Sequence, residues 1–364
     1  MARPSPQRRF VFGSLACKVC PYGISGRCDG ETSATPESFI LKDSSVIGCL
    51  DPARQRAHFA DLHGQLRPLR QKSRHSEINL PAFIPQICTG LGELPKLKGH
   101  PLFAVSLSTI LGEEGKVKYR SAQSLRHALG LQPDARLALI GTTNDYTIEK
   151  LWTNSGASDA WNRIANLGFE FSTSLSYSVW DEHPRFDQIF NQEKNFATHG
   201  ILLEKGIISI PFLFFYDEKD YQEILSWLRN HKDVRKVAVL AQFKRTDATF
   251  KEVVVDMHRL EKDLSRSLQF LVVGPSTASR IRRLFNEFSR VTIVTIEPAF
   301  KALYSHRALR DLRYVPADNR IRKAIIAANN IEIHRKFCAR ARPAKRVRRF
   351  SDQAALPLLS RISI

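Results

Sequence analysis

No apolar stretch of the chain reaches the roughly 18 residues that a membrane-crossing helix needs, so no transmembrane span is expected. The N-terminus, Met1 to Phe12, is rich in Arg and Pro and lacks an apolar h-region, which argues against a secretory signal. A disulfide framework is also missing: six cysteines in 364 residues fit metal binding or free thiols better than cross-linking. No internal repeat is evident. These absences set a cytoplasmic protein, away from the membrane, as the working expectation.

Charge is present in excess, and its location matters more than its size. Lys plus Arg number 55 against 36 Asp plus Glu, a formal +19. Residues 1–76 carry 12 basic and 6 acidic residues, and residues 318–364 carry 12 and 3. Residues 77–317 are left with only +4. Basic flanks around a nearly neutral centre favour a polyanionic partner such as DNA or RNA, with a solubilising tail as the competing reading.

From Glu77 onward short apolar runs alternate with longer amphipathic segments. The runs are Ile78–Ile87, Leu102–Ile110, Arg136–Thr142, Phe169–Leu175, Ile207–Phe215, Lys236–Phe243, Gln269–Val273 and Val291–Ile296. Continuous apolarity is what a strand covered on both faces requires. Helical spacing marks Ser121–Leu129, Ala160–Leu167, Pro184–Leu203, Asp220–Asn230, Phe250–Leu264 and Ala278–Phe288, with two further helices at Phe300–Leu312 and Arg320–Phe337. Eight alternations over a span near 250 residues predict a (β/α)8 barrel of the TIM type; an open parallel α/β sheet is the alternative, because Pro81 and Pro85 interrupt the first run. The expected division is a basic N-terminal segment with a cysteine module (1–76), the barrel (77–337) and a basic, flexible tail (338–364). That tail contains the run Arg340–Arg349.

Cys17, Cys20, Cys28 and Cys49 follow the spacing C-x2-C-x7-C-x20-C. A C-x2-C pair sets two thiolates on one tight turn, within reach of one soft metal ion. Gly23, Gly26, Gly30 and Gly48 leave the backbone free to wrap around it. Zn2+ ranks ahead of a 4Fe-4S cluster as the more frequent occupant, although Pro21 after the pair occurs in some iron–sulfur sequences. Four unrelated thiols is the remaining reading.

In a barrel, chemistry sits at the C-terminal ends of the strands. No strand there ends in the His-x-His or His/Asp cluster of a hydrolytic metal centre, which argues against binuclear metallohydrolase chemistry. Carboxylates remain: Asp145, Asp217 and Glu297 are candidate acids, bases or nucleophiles, with Asp217 read as a helix cap ahead of a catalyst and Glu297, just before Pro298, as the better catalytic candidate. The turn Gly274-Pro275-Ser276-Thr277 opens a helix after the seventh strand, where barrels often hold phosphate. Gly274, Ser276 and Thr277, with Lys244 and Arg245 one loop earlier, form a candidate phosphate site; plain helix capping explains the hydroxyls as well.

Two stretches, Tyr119–Leu131 (YRSAQSLRHALGL) and Ser172–Gln188 (STSLSYSVWDEHPRFDQ), carry a resemblance. The chain resembles a family of bacterial and phage proteins defined only as a domain of unknown function, TIM-barrel-like and often encoded near mobile elements. Its best motif is the fourth strand with the following Pro184-Arg185, which brings Arg185 among the candidate ligand-binding residues. Members often have a cysteine-rich segment upstream, as here. The chain departs from the family at Ser174-Leu175-Ser176, where members carry Asn or Asp beside an aromatic residue. More distantly it resembles barrels that exchange bases in nucleic acid, an analogy of fold alone.

These features make a nucleic-acid-associated barrel of a mobile-element or phage-related system the leading expectation, with a nucleotide or base at the mouth. An enzyme of small phosphorylated metabolites and a non-catalytic, metal-stabilised binding protein are the alternatives. Oligomeric state is left open.

Overall fold

The computed structural model describes residues 77–342 except 98–101, 113, 180–184, 215–216, 243 and 245. It also describes residues 9–11, 20, 22, 31–33, 57, 60 and 62. Eight parallel strands make one sheet: β1 (Phe83–Ile87), β2 (Leu102–Ser106), β3 (Arg136–Gly141), β4 (Phe171–Leu175), β5 (Ser209–Ile210), β6 (Lys236–Leu240), β7 (Gln269–Val273) and β8 (Val291–Thr295). Their spatial order is β5-β4-β3-β2-β1-β8-β7-β6.

The two ends of that order meet. Phe212 bridges Ala238 in parallel; Ala238 N–H donates to Pro211 O at 2.8 Å, and Leu213 N–H donates to Ala238 O at 3.0 Å. The open sheet is thereby replaced by a barrel of the TIM type, closed at its narrowest seam by one bridge. Pro211 suits this seam, since it offers a carbonyl where no N–H is needed.

Helices cover the outside: α1 (Ala122–Ala128), α2 (Asp145–Ser158), α3 (Ala160–Ala165), α4 (Arg185–Glu204), α5 (Glu218–Asn230), α6 (Asp247–Leu264), α7 (Ala278–Glu287), α8 (Glu297–Leu303) and α9 (Lys323–Ala341). Several start where a side chain satisfies free backbone N–H groups. Ser121 and Ser124 form a reciprocal capping box on α1, and Asn144, Asp217 and Thr246 accept from the backbone at 2.8, 2.9 and 3.2 Å.

Alternation of side chains along each strand separates two apolar layers. Ile84, Ala104, Ile140, Phe171, Phe212, Leu271 and Val294 fill the barrel interior. Phe83, Val105, Leu139, Val237, Val272 and Ile293 face outward against helix stripes such as Tyr221, Ile224, Leu225 and Leu228 of α5. Each such side chain contributes about 1.5–3 kcal/mol by leaving water. Gly141 has a steric reason: a Cβ there would lie 2.2 Å from Ser174 O, so β3 and β4 approach closely only because it has none.

Three expectations change. The segment Phe300–Leu312 is not one helix. Helix α8 stops at Leu303, Ser305 turns with φ +53°, and β9 (His306–Ala308) pairs antiparallel with β10 (Tyr314–Pro316). Asn330 of α9 anchors this hairpin, accepting from Ala308 N–H at 2.6 Å and donating to His306 O at 2.9 Å. Helix α2 is additional to the segment expected at Ala160–Leu167; Asp159, with φ +49°, breaks the two apart. Helix α9 runs on to Ala341, so Arg340 of the basic run is helical.

Candidate functional site

The wall of the barrel mouth continues the inner face of the strands. Above Ile84 and Ala104 the next inward positions are Gln86 and Ser106, both buried. Ser106 Oγ lies 2.7 Å from Ser108 Oγ and 3.1 Å from Thr109 Oγ1. Ser174 Oγ accepts from Phe212 N–H at 2.8 Å, which ties β4 to the closing seam. Gln242 is exposed at the exit of β6. Amide and hydroxyl groups therefore line part of this end, and Lys118 Nζ donates to Ser108 O at 3.2 Å beside them.

Each of the three candidate carboxylates has a different partner. Asp145 opens α2 and accepts from Ser178 Oγ at 2.7 Å. Asp217 caps α5 and lies 3.0 Å from Arg185 Nη2. Glu297 opens α8 and faces Lys301 at 3.6 Å. No hydrogen bond or ion pair joins any two of them among the described residues. Arg185 is buried, and its guanidinium donates to both oxygens of Asp220 at 2.7 and 2.9 Å.

The exits of β6 and β7 do come together. Gly274 has φ +104°, and a Cβ there would sit 2.4 Å from Gln242 Cα, so glycine is required by the neighbouring backbone itself. Arg280 of α7 donates to Lys244 O at 2.5 Å, lies 3.2 Å from Asp247 Oδ1 and stacks over Phe250 at 5.0 Å. Lys244, Gly274, Ser276 and Thr277 are thus neighbours through this joint, while Arg245 lies outside the described residues. Thr277 is the N-cap of α7, yet its hydroxyl makes no bond to the helix backbone and lies 3.3 Å from Ser279 Oγ.

A buried polar network on α4 went unread in the sequence. Lys194 is 1% exposed, ion-paired with Glu149 of α2, and lies 4.1 Å from the Tyr177 ring centroid and 4.9 Å from that of Phe190. Burial pulls its ammonium pKa down, and Glu149 acts in the opposite direction. Burial, then the charges of Glu149 and Asp145, push the Tyr177 phenol well up. A lone Lys in a helical pattern reads as solvated, so only the Phe186, Ile189 and Phe190 stripe beside it gave a sign of depth.

Of the four metal-candidate cysteines, Cys17, Cys28 and Cys49 lie outside the described residues; Cys20 is buried. Two residues on, Tyr22 is buried against α4, its ring 5.0 Å from Phe186 and its hydroxyl donating to Glu193 at 2.6 Å. Among the described residues, no group of three or more His, Cys, Asp or Glu is arranged to hold a metal ion, and no helix is long and apolar enough to cross a membrane.

The fold is an eight-stranded parallel α/β barrel with helices outside. No protein-family model matches the chain, and a search of curated proteins likewise finds no match. Among solved structures it is similar to one titled "Structural study of Project ID from Aquifex aeolicus VF5", with a TM-score of 0.41 and 10% identity, covering 78% of this chain and 98% of that one.

Proposed function

We propose that this barrel is a nucleic-acid-associated protein whose basic flanks hold the phosphodiester backbone and whose mouth receives a nucleotide or base. One observation carries the reading: residues 318–364 hold 12 basic against 3 acidic residues, whereas residues 77–317 carry only +4. Charge gathered on one stretch of chain serves a polyanion better than charge spread over a surface. The amide and hydroxyl groups of Gln86, Ser106, Ser108 and Gln242 support contacts to base edges, which need donors and acceptors. Cys17, Cys20, Cys28 and Cys49 would bind one Zn2+ or a 4Fe-4S cluster and so order the N-terminal segment.

A second reading rests on Thr277. Asn144, Asp217 and Thr246 cap the helices that follow β3, β5 and β6, but Thr277 leaves the N-terminus of α7 without a side-chain bond. That end, beside Ser276 and Lys244, would suit the phosphate of a small metabolite.

Thermal melts separate the two. A 20-mer single strand at about a hundredfold its Kd should stabilise the protein by about 2.7 kcal/mol, and the shift should fade as salt rises. A shift with inorganic phosphate and sugar phosphates, and none with the oligonucleotide, would overturn the first reading in favour of the second.

A further inference from the structure

A cleft of about 490 Å3 lies among the outer elements of the barrel. It lies between α7, which supplies Arg282 and Asn286, the β9–β10 hairpin tip, which supplies Arg310 and Asp311, and α9, which supplies Phe337 and Arg340. Its one acidic residue is already engaged: Asp311 accepts from Arg313 Nε at 2.6 Å and from Arg313 N–H at 3.1 Å. The Arg282 guanidinium stacks over the Phe337 ring at 5.0 Å, which fixes its position while leaving its N–H groups available. Arg282, Arg310 and Arg340 are exposed, and none has an ion pair with a carboxylate among the described residues.

That arrangement offers an anion three guanidiniums that no carboxylate among the described residues occupies. Arg259, Arg283 and Arg335, elsewhere on the outer helices, each lie against a carboxylate at 2.5–2.9 Å. Three uncompensated guanidiniums around one small cleft repel one another, and a bound phosphate group would relieve the repulsion through forked hydrogen bonds. The three arginines come from three elements, so the fold itself assembles the site. Arg340 also begins the run Arg340–Arg349, which makes the cleft continuous with the basic tail in sequence.

We propose that this cleft is a phosphate seat for a single strand of nucleic acid, passing the strand from the tail onto the barrel wall. The inference rests on the nucleic-acid reading above and gives it a place on the folded domain. A volume of 490 Å3 belongs to the range of small-ligand pockets, about 300–1,000 Å3, which suits one strand and is too small for a duplex. Guanidiniums bind phosphate oxygens through forked hydrogen bonds, which favours a phosphodiester strand as the occupant.

The test uses the full chain with labelled dT20 and rU20, read by anisotropy between 50 and 200 mM salt. R282Q/R310Q should weaken binding about tenfold and reduce the slope of log affinity against log salt by about 1.4, at 0.7 per lost contact. R282K/R310K should keep the slope, since the charge is retained. Melting temperature reports that each variant is folded. Unchanged affinity and slope in R282Q/R310Q, with wild-type binding intact, would overturn the seat and leave the nucleic-acid reading standing. If the wild-type chain binds neither oligonucleotide, the reading fails and the seat with it. Cleft-dependent capture of a poly-glutamate peptide in preference to both oligonucleotides would overturn the proposal in favour of a protein partner.

Discussion

Replacing Arg185 by Met should destabilise the barrel by about 3–5 kcal/mol, because it removes a two-pronged ion pair from a buried carboxylate. The geometry sets the size. The guanidinium makes a two-pronged contact with Asp220, and their side chains are 6% and 3% exposed. Asp217, at 3.0 Å and 36% exposed, adds about 0–1 kcal/mol after solvent screening. At about 2–4 °C per kcal/mol, the melting temperature should fall by roughly 10 °C. D220N in the R185M background should recover most of the loss, since it removes the buried negative charge that Arg185 answers. D217N alone should cost less than about 1 kcal/mol, as Asn also caps helices well. Urea denaturation of the wild type, R185M, D220N and R185M/D220N gives the double-mutant cycle for Arg185 and Asp220. A loss below 1 kcal/mol in R185M, or no recovery in the double variant, would refute a structural role and return Arg185 to the ligand-binding candidates.

Other outcomes follow from the same geometry. Gly274→Ala should cost about 2–3 kcal/mol or more, because it adds backbone strain at positive φ to a clash with Gln242; melting near wild type would contradict the close approach. His334 is buried beside Tyr314, whose hydroxyl lies 2.8 Å from its Nε2, and burial lowers its pKa to about 3. Its unfolded form gains a proton first as pH falls, so stability present above pH 6.5 is lost progressively toward pH 3, by up to about 5 kcal/mol. The acid limb of a stability–pH curve should therefore flatten in H334F, and an unchanged limb would remove His334 as its cause. For the cysteine segment, purified protein should contain one zinc per chain, or show the brown absorption of an iron–sulfur cluster. Metal-free protein with an ordered N-terminal segment would rule out both.

Much of the barrel is written in the sequence because buried parallel strands are apolar on both faces. The runs ending in Leu175, Val273 and Ile296 needed no tertiary information to be seen. Helix α2 was hidden by Thr153, Asn154, Ser155 and Gly156, which dilute the Ile148, Leu151 and Trp152 stripe. The β9–β10 hairpin was hidden by its dependence on Asn330 of α9, a partner that local sequence cannot supply. Gly274 was recognised as special, but for closeness to a ligand rather than to the Gln242 backbone. Asp217 kept the cap reading that competed with catalysis. The Arg282, Arg310 and Arg340 cleft had no local signature, because these residues meet only when α7, the hairpin and α9 pack together.

The claim at the centre of this account is that phosphate neutralisation by the basic C-terminal stretch drives binding. It is tested most directly by the salt dependence of oligonucleotide affinity in the wild-type chain and in K345Q/R346Q/R348Q/R349Q. The account predicts a steep fall in wild-type affinity between 50 and 200 mM salt, with a log–log slope shallower by about 3 in the variant. An affinity that barely changes with salt, or a slope that survives loss of the four charges, would contradict it.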